Sequence, residues 1–117
     1  VAEMLLRHGA VIDLQDRKLG VTALMAAAAK GHEQVAEMLL RHGAGINLQD
    51  REGGTALMSA ALEGHERVVD VLIQHGAEIN LQASDGHTAL TDAAFRNHPA
   101  VVLRLLRAGA DMTLRTA

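Results

Sequence analysis

Seven histidines are the side chains of this 117-residue sequence best suited to chemistry, because an imidazole binds metals and moves protons near neutral pH. Six of them recur in register. His32, His65 and His98 lie 33 residues apart, while His8, His42 and His75 are separated by 34 and 33. His87 stands outside both sets. Packed helices sit roughly 8–10 Å apart, whereas zinc ligands converge at about 2 Å on the ion. Equivalent histidines of stacked units therefore do not share a metal, and no metal site is expected. The first set is read as support for the turn between two helices. The second is read as a partial positive charge at helix C-termini, where the helix dipole favours it.

Ser59, Ser84 and Asp92 are the single-residue candidates for nucleophilic or acid–base work. The spacing of the sequence is expected to bring no base and orienting partner within their reach. Gly43-Ala44-Gly45-Ile46-Asn47 and Arg51-Glu52-Gly53-Gly54 are read as turn glycines, since no Gly-Lys-Ser/Thr follows either to cradle a phosphate. With no cysteine there is no disulfide framework, no thiol nucleophile and no zinc–thiolate centre. The reading is therefore a non-enzyme without catalytic residues, cofactor or metal.

What positions these residues is a repeat. VAEMLLRHGA stands at Val1–Ala10 and again, letter for letter, at Val35–Ala44. The frame returns from Val68 and from Val101. A second phrase recurs as TALMAAAAKGH from Thr22, TALMSAALEGH from Thr55 and TALTDAAFRNH from Thr88. Gly9, Gly43, Gly76 and Gly109 are spaced by 34, 33 and 33, which localises one extra residue between Asp16 and Thr22. Long-period self-similarity of this kind marks a stacked array. The chain divides into a partial repeat at 1–15, full repeats at 16–49, 50–82 and 83–115, and the start of another at 116–117.

Each unit reads as helix, turn, helix, loop. The threonine takes the N-cap, and Ala56–Leu62 is rich in helix formers. Gly64, replaced by Asn97 in the last repeat, supplies the left-handed residue that ends the first helix. The second helix starts after His65 and runs to about His75, with Pro99 tolerated at the equivalent first turn. Glu3→Arg7 and Glu37→Arg41 are i, i+4 pairs in the favourable order on a solvated face. Helices this short are not stable alone and must bury their apolar faces against neighbouring repeats. The fold class is all-α, a solenoid.

A 33-residue helix–turn–helix unit with Thr-x-Leu, paired Ala, Gly-His, a Val-rich second helix and Gly-Ala-x-Ile-Asn resembles the ankyrin repeat. The resemblance covers essentially the whole chain. The family's Thr-Pro-Leu-His reads here as Thr-Ala-Leu-Met or, at Thr88–Thr91, Thr-Ala-Leu-Thr, which is expected to weaken the helix starts. Arg104 falls where Met38 and Val71 sit in the other repeats, so that repeat is expected to pack differently or to face solvent.

The resemblance implies a protein-binding module or scaffold whose concave face is made of hairpin tips and first helices. Carried over, the tips are Arg17, Lys18 and Val21, then Arg51, Glu52 and Gly54, then Ser84, Asp85 and His87. The first helices expose Ala26, Ala29 and Lys30, then Ser59, Leu62 and Glu63, then Asp92, Phe95 and Arg96. Ala29, Leu62 and Phe95 are equivalent and grow in size, beside charges that alternate at Lys30, Glu63 and Arg96. An aromatic next to an Arg is the usual composition of a binding hot spot. The other reading is that Phe95 tucks against its own repeat or a further one. The extra residue near Lys18-Leu19-Gly20-Val21 is either a specificity element or a tolerated insertion.

The resemblance also implies a modification. Asn80, and less so Asn47, occupy the loop asparagine that the cellular asparaginyl hydroxylase oxidises in ankyrin-like proteins. Leu72 and Glu78-Ile79 give Asn80 the preferred context, whereas Asn47 has Leu39 but Gly45 in place of the acid. The competing reading is an asparagine that hydrogen-bonds its own loop.

Composition narrows the partners. Eleven Lys and Arg against 14 Asp and Glu give a net charge of −3, with one aromatic residue, Phe95. Nucleic-acid binding wants a basic stripe and stacking aromatics, so none is expected. No apolar run approaches the roughly 18–20 residues of a membrane span. The expected partner is another protein. A cytoplasmic or nuclear location is expected, as is a fragment of a longer array, with end-to-end self-association through uncapped termini. The competing roles are a structural spacer, or an accessory segment of a larger enzyme, channel or ubiquitin-ligase adaptor.

Overall fold

A computed structural model describes residues 12–113. These form six helices and no strand: α1 (Ala23–Lys30), α2 (Glu33–Arg41), α3 (Ala56–Glu63), α4 (Glu66–Gln74), α5 (Ala89–Phe95) and α6 (Pro99–Arg107). They pair as α1–α2, α3–α4 and α5–α6, joined by tight turns and linked by extended loops. Helices α1, α3 and α5 form one layer, and α2, α4 and α6 the other. The duplicated Glu3→Arg7 pair lies outside the described residues, whereas Arg41 Nε is 3.2 Å from Glu37 Oε2 as expected.

The helix starts are intact. The hydroxyls of Thr22, Thr55 and Thr88 each accept the backbone N–H of the third helical residue at 3.2 Å. All three threonines are buried, which is tolerable because their polar atoms are satisfied. The expected weakening is offset at the two outer starts. Met25 Sδ lies 3.5 Å from the Thr22 N–H, and Thr91 Oγ1 accepts the Thr88 N–H at 2.8 Å. Helix α3 has no such return bond and rests on Thr55 alone. Thr55→Ala is therefore expected to lower stability by about 1 kcal/mol in urea unfolding.

Gly31 and Gly64 end α1 and α3 with φ of 73° and 74°, and Asn97 adopts the same left-handed conformation at 60°. Alanines of the first layer let the helices approach closely: Ala28, Ala60, Ala61 and Ala93 are fully buried. The second layer contributes Leu39, Leu72 and Leu105, equivalent positions that are each at most 2% exposed. Burying a leucine contributes roughly 1.5–3 kcal/mol, so this row is a principal adhesive between repeats.

Polar ladders bind one repeat to the next. Asp13, Asn47 and Asn80 each accept, through the side-chain oxygen, a loop N–H of the following repeat: Gly45 at 2.8 Å, Glu78 at 2.9 Å and Asp111 at 2.8 Å. The asparagines thus strap adjacent loops rather than bonding their own, which corrects that reading. His65 and His98 also differ from expectation. Neither caps the helix it precedes. Instead Nε2 of His65 donates to the Ala29 carbonyl at 3.0 Å, and that of His98 to the Leu62 carbonyl at 2.9 Å, each in the preceding repeat. His75 does sit at the C-terminal end of α4, yet its ring reaches back to Glu37 at 2.7 Å and holds that carboxyl below its ordinary pKa.

Arg104 makes its repeat pack differently, as expected, through an ion pair with the preceding repeat rather than by facing solvent. Its Nε bonds both Asp70 oxygens, at 2.9 and 3.1 Å, and a terminal nitrogen lies 3.2 Å from Glu66. An interhelical ion pair takes the place of the apolar contact made elsewhere. At the other edge of α6, Pro99, Val102, Leu103 and Leu106 line a cavity of about 480 Å³ that no described element covers.

Candidate functional site

Three hairpin tips stand side by side along the first helical layer. Each is closed across its base by a backbone bond: Asp16 to Val21 at 3.1 Å, Asp50 to Gly54 at 2.8 Å and Ala83 to His87 at 2.9 Å. Tip joins tip through Arg51 N–H to the Leu19 carbonyl and Ser84 N–H to the Glu52 carbonyl, both at 2.8 Å. A glutamine ladder runs underneath. Gln15 bonds the Gly20 and Gln49 carbonyls, and Gln49 bonds those of Gly53 and Gln82, at 2.8–3.3 Å. Gln82 continues it to Gly86 at 2.9 Å. The 34- and 33-residue recurrence of these glutamines is the sequence signal that marks the ladder. The tips are thereby fixed as a platform, as binding side chains on loops require.

The extra residue is absorbed in the first tip. The Asp16 carboxylate accepts the N–H groups of Leu19, Gly20 and Val21 at 2.8, 2.9 and 3.4 Å, which holds its pKa below the ordinary range. Arg17 and Lys18 are exposed there. Val21 is not: it is half-buried against the core, which corrects its assignment to the exposed tip. Leu14 and Leu19, 68% and 53% exposed, are the apolar side chains that this edge presents instead.

The second and third tips, with α3 and α5, enclose a groove of about 350 Å³. It brings together Glu52, Ser59, Leu62, His87, Asp92, Phe95 and Arg96 from the sequence-derived set, and Gly54 beside them. Asp50 and Met58 also line it and were not singled out from sequence. Arg17, Lys18, Lys30, Arg51, Glu63 and Asp85 lie outside the lining, although all are exposed. Phe95 is 84% exposed, so it does not tuck into its own repeat.

The polar end of the groove holds a carboxylate–imidazole–carboxylate row. His87 Nδ1 is hydrogen-bonded to Asp85 Oδ1, and its Nε2 lies 3.7 Å from Asp92 Oδ2. His87 is thus the imidazole nearest Asp92, although it stands beyond hydrogen-bond reach. The backbone N–H of His87, and then its ring, keep the Asp85 carboxyl below its usual range. Burial has the opposite effect on Asp92, whose side chain is only 14% exposed, and pushes its pKa up to about 6 against the partial relief given by His87. The row is not a nucleophile-activating site as it stands. A separation of 3.7 Å exceeds a hydrogen bond, and no hydroxyl or thiol is bonded to His87 or Asp92 among the described residues.

A raised carboxyl pKa lowers stability as pH rises from the unfolded value through the folded one. Asp92 therefore costs the fold nothing near pH 3.8 and the most above about 6. Asp92→Asn is expected to stabilise the chain by about 1 kcal/mol at neutral pH, an advantage that vanishes in mild acid. Thermal melts of both proteins at the two pH values read this directly.

Among the described residues, no cluster of His, Asp and Glu is arranged to hold a metal ion. No described helix is long and apolar enough to cross a membrane. The three stacked helical pairs and their projecting tips define a helical repeat solenoid. A family model described as ankyrin repeats (three copies) matches residues 1–83 and 44–116, and the chain belongs to the ankyrin-repeat family. Comparison with curated proteins gave no match. Ankyrin repeats are in general protein–protein interaction modules and are typically non-catalytic.

Proposed function

We propose that this chain is a non-catalytic binding module that recognises another protein on the face built from its hairpin tips and first helices. The observation that carries the reading is Phe95, the sole aromatic side chain, held 84% exposed over the groove with Arg96 beside it. An apolar ring left in water gains free energy when a partner covers it, and aromatic and Arg side chains dominate measured hot spots. The hydrogen-bonded platform beneath supports the same reading, since a fixed surface loses little entropy on binding.

Affinity capture from lysate tests it, with the wild-type chain and a Leu62→Ala, Phe95→Ala, Arg96→Ala variant of native helical circular dichroism as baits. A specific set of proteins retained by the first and lost by the second is expected. Identical capture, or none, means that the chain is a spacer or binds through another face.

A further inference from the structure

Charge is distributed unevenly along the tip face. At one end Arg17, Lys18 and Lys30 are exposed and have no acidic partner among the described residues. At the other, the groove is lined by three carboxylates, Asp50, Glu52 and Asp92, against a single cation, Arg96. Its apolar part is Met58, Leu62 and Phe95. The Asp50 carboxylate is held in position, accepting the N–H groups of Glu52 and Gly54 at 2.9 and 2.8 Å. Glu52 is exposed at the rim, and Asp92 is recessed, with His87 at 3.7 Å and no Lys or Arg in salt-bridge contact among the described residues.

We propose that the groove takes a basic, extended segment of a partner protein. Its Lys or Arg side chains pair with Glu52 and Asp92, and a neighbouring apolar side chain covers Phe95 and Leu62. This rests on the tip-face reading given above and adds the chemistry of the occupant.

A recessed carboxylate with no cation in contact, only the more distant charge of Arg96, is held at a cost to the fold. Sites that sacrifice stability in this way are those where a ligand makes up the loss. An arriving ammonium or guanidinium supplies the counter-charge that Asp92 lacks, in a recess where screening by water is weakest. Acidic segments meet the reverse: three like charges and a recess that rejects a further anion. The groups facing Asp92 are His87 and Asp85 from the tip and Arg96 at the C-terminal cap of α5, with Asp50 and Glu52 across the groove. Protonation of Asp92 removes negative charge from the groove. Affinity for a cation therefore falls as pH drops through about 6.

The test is a displayed library of random dodecapeptides selected on the full chain near neutral pH, with the triple variant as counter-selection. Recovered peptides are then titrated against wild type, Asp92→Asn and Glu52→Gln. Enrichment of Lys or Arg next to an apolar residue is expected. A loss of about tenfold in affinity is expected for Asp92→Asn, with a similar loss for wild type in mild acid. Enrichment of Asp or Glu, no charge preference, no recovered peptide, or affinity indifferent to Asp92→Asn overturns the proposal. If lysate partners are lost with the triple variant while the peptides are acidic or neutral, the tip-face reading stands and the basic occupant falls. If capture is also indifferent, both fall.

Discussion

Gly64→Ala is expected to destabilise the stack by about 3 kcal/mol, against about 1 kcal/mol for Gly76→Ala. Both glycines are left-handed, at φ of 74° and 87°, so both substitutions incur the same backbone strain. Their surroundings differ. A β-carbon at Gly76 meets nothing within 4 Å, whereas one at Gly64 would lie 2.6 Å from His98 Nδ1 and 2.7 Å from its Cε1. The His98 ring cannot retreat without giving up its 2.9 Å bond to the Leu62 carbonyl. The alanine thus strains the turn, expels the ring and leaves a helix-end carbonyl unpaired. Urea unfolding of the two variants separates the effects. Equal losses would mean that His98 is not a fixed contact between repeats. At position 97, where no described repeat stacks on the turn, an asparagine with its β-carbon stands in place of the glycine.

The same residues show how far the sequence could be read. Thr, Gly and His recur at fixed spacing, and each helix begins and ends where local chemistry dictates. What recurrence does not disclose is the far partner. His65 and His98 stand at the turns between helices, but their rings act on the preceding repeat. Asn47, Asn80 and the glutamine ladder behave likewise, because a side chain on a stacked unit meets its neighbour's backbone as readily as its own. Arg104 looked out of place only while Asp70 and Glu66, a repeat away, were not seen beside it. The groove was half legible. Leu62, Asp92 and Phe95 follow from the helical frame, whereas the approach of His87 to Asp92 depends on the tip conformation set by Gly86 at φ 89°. Val21 is half-buried because it immediately precedes the buried N-cap Thr22, a place where Gly54 and His87 are half-buried as well.

Phe95→Ala is expected to weaken binding of the protein partner by about 2 kcal/mol, close to 30-fold, with stability unchanged. The ring is 84% exposed, so its removal leaves no cavity in the fold. Its worth lies in what a partner covers. The adjoining Leu62, half-buried in the groove, extends the apolar contact, with Met58 buried beneath it. Calorimetric titration of the captured partner against wild type and variant measures the loss. A variant that binds as tightly as wild type would remove Phe95 from the contact surface.

The central claim, that partners dock on the tips and first helices, is tested most directly by hydrogen exchange on the chain with and without its captured partner. Added protection is expected across 50–64 and 83–96, which hold the second and third tips with α3 and α5. Protection confined to α2, α4 and α6 on the opposite layer, with the tips exchanging as in the free chain, would contradict it.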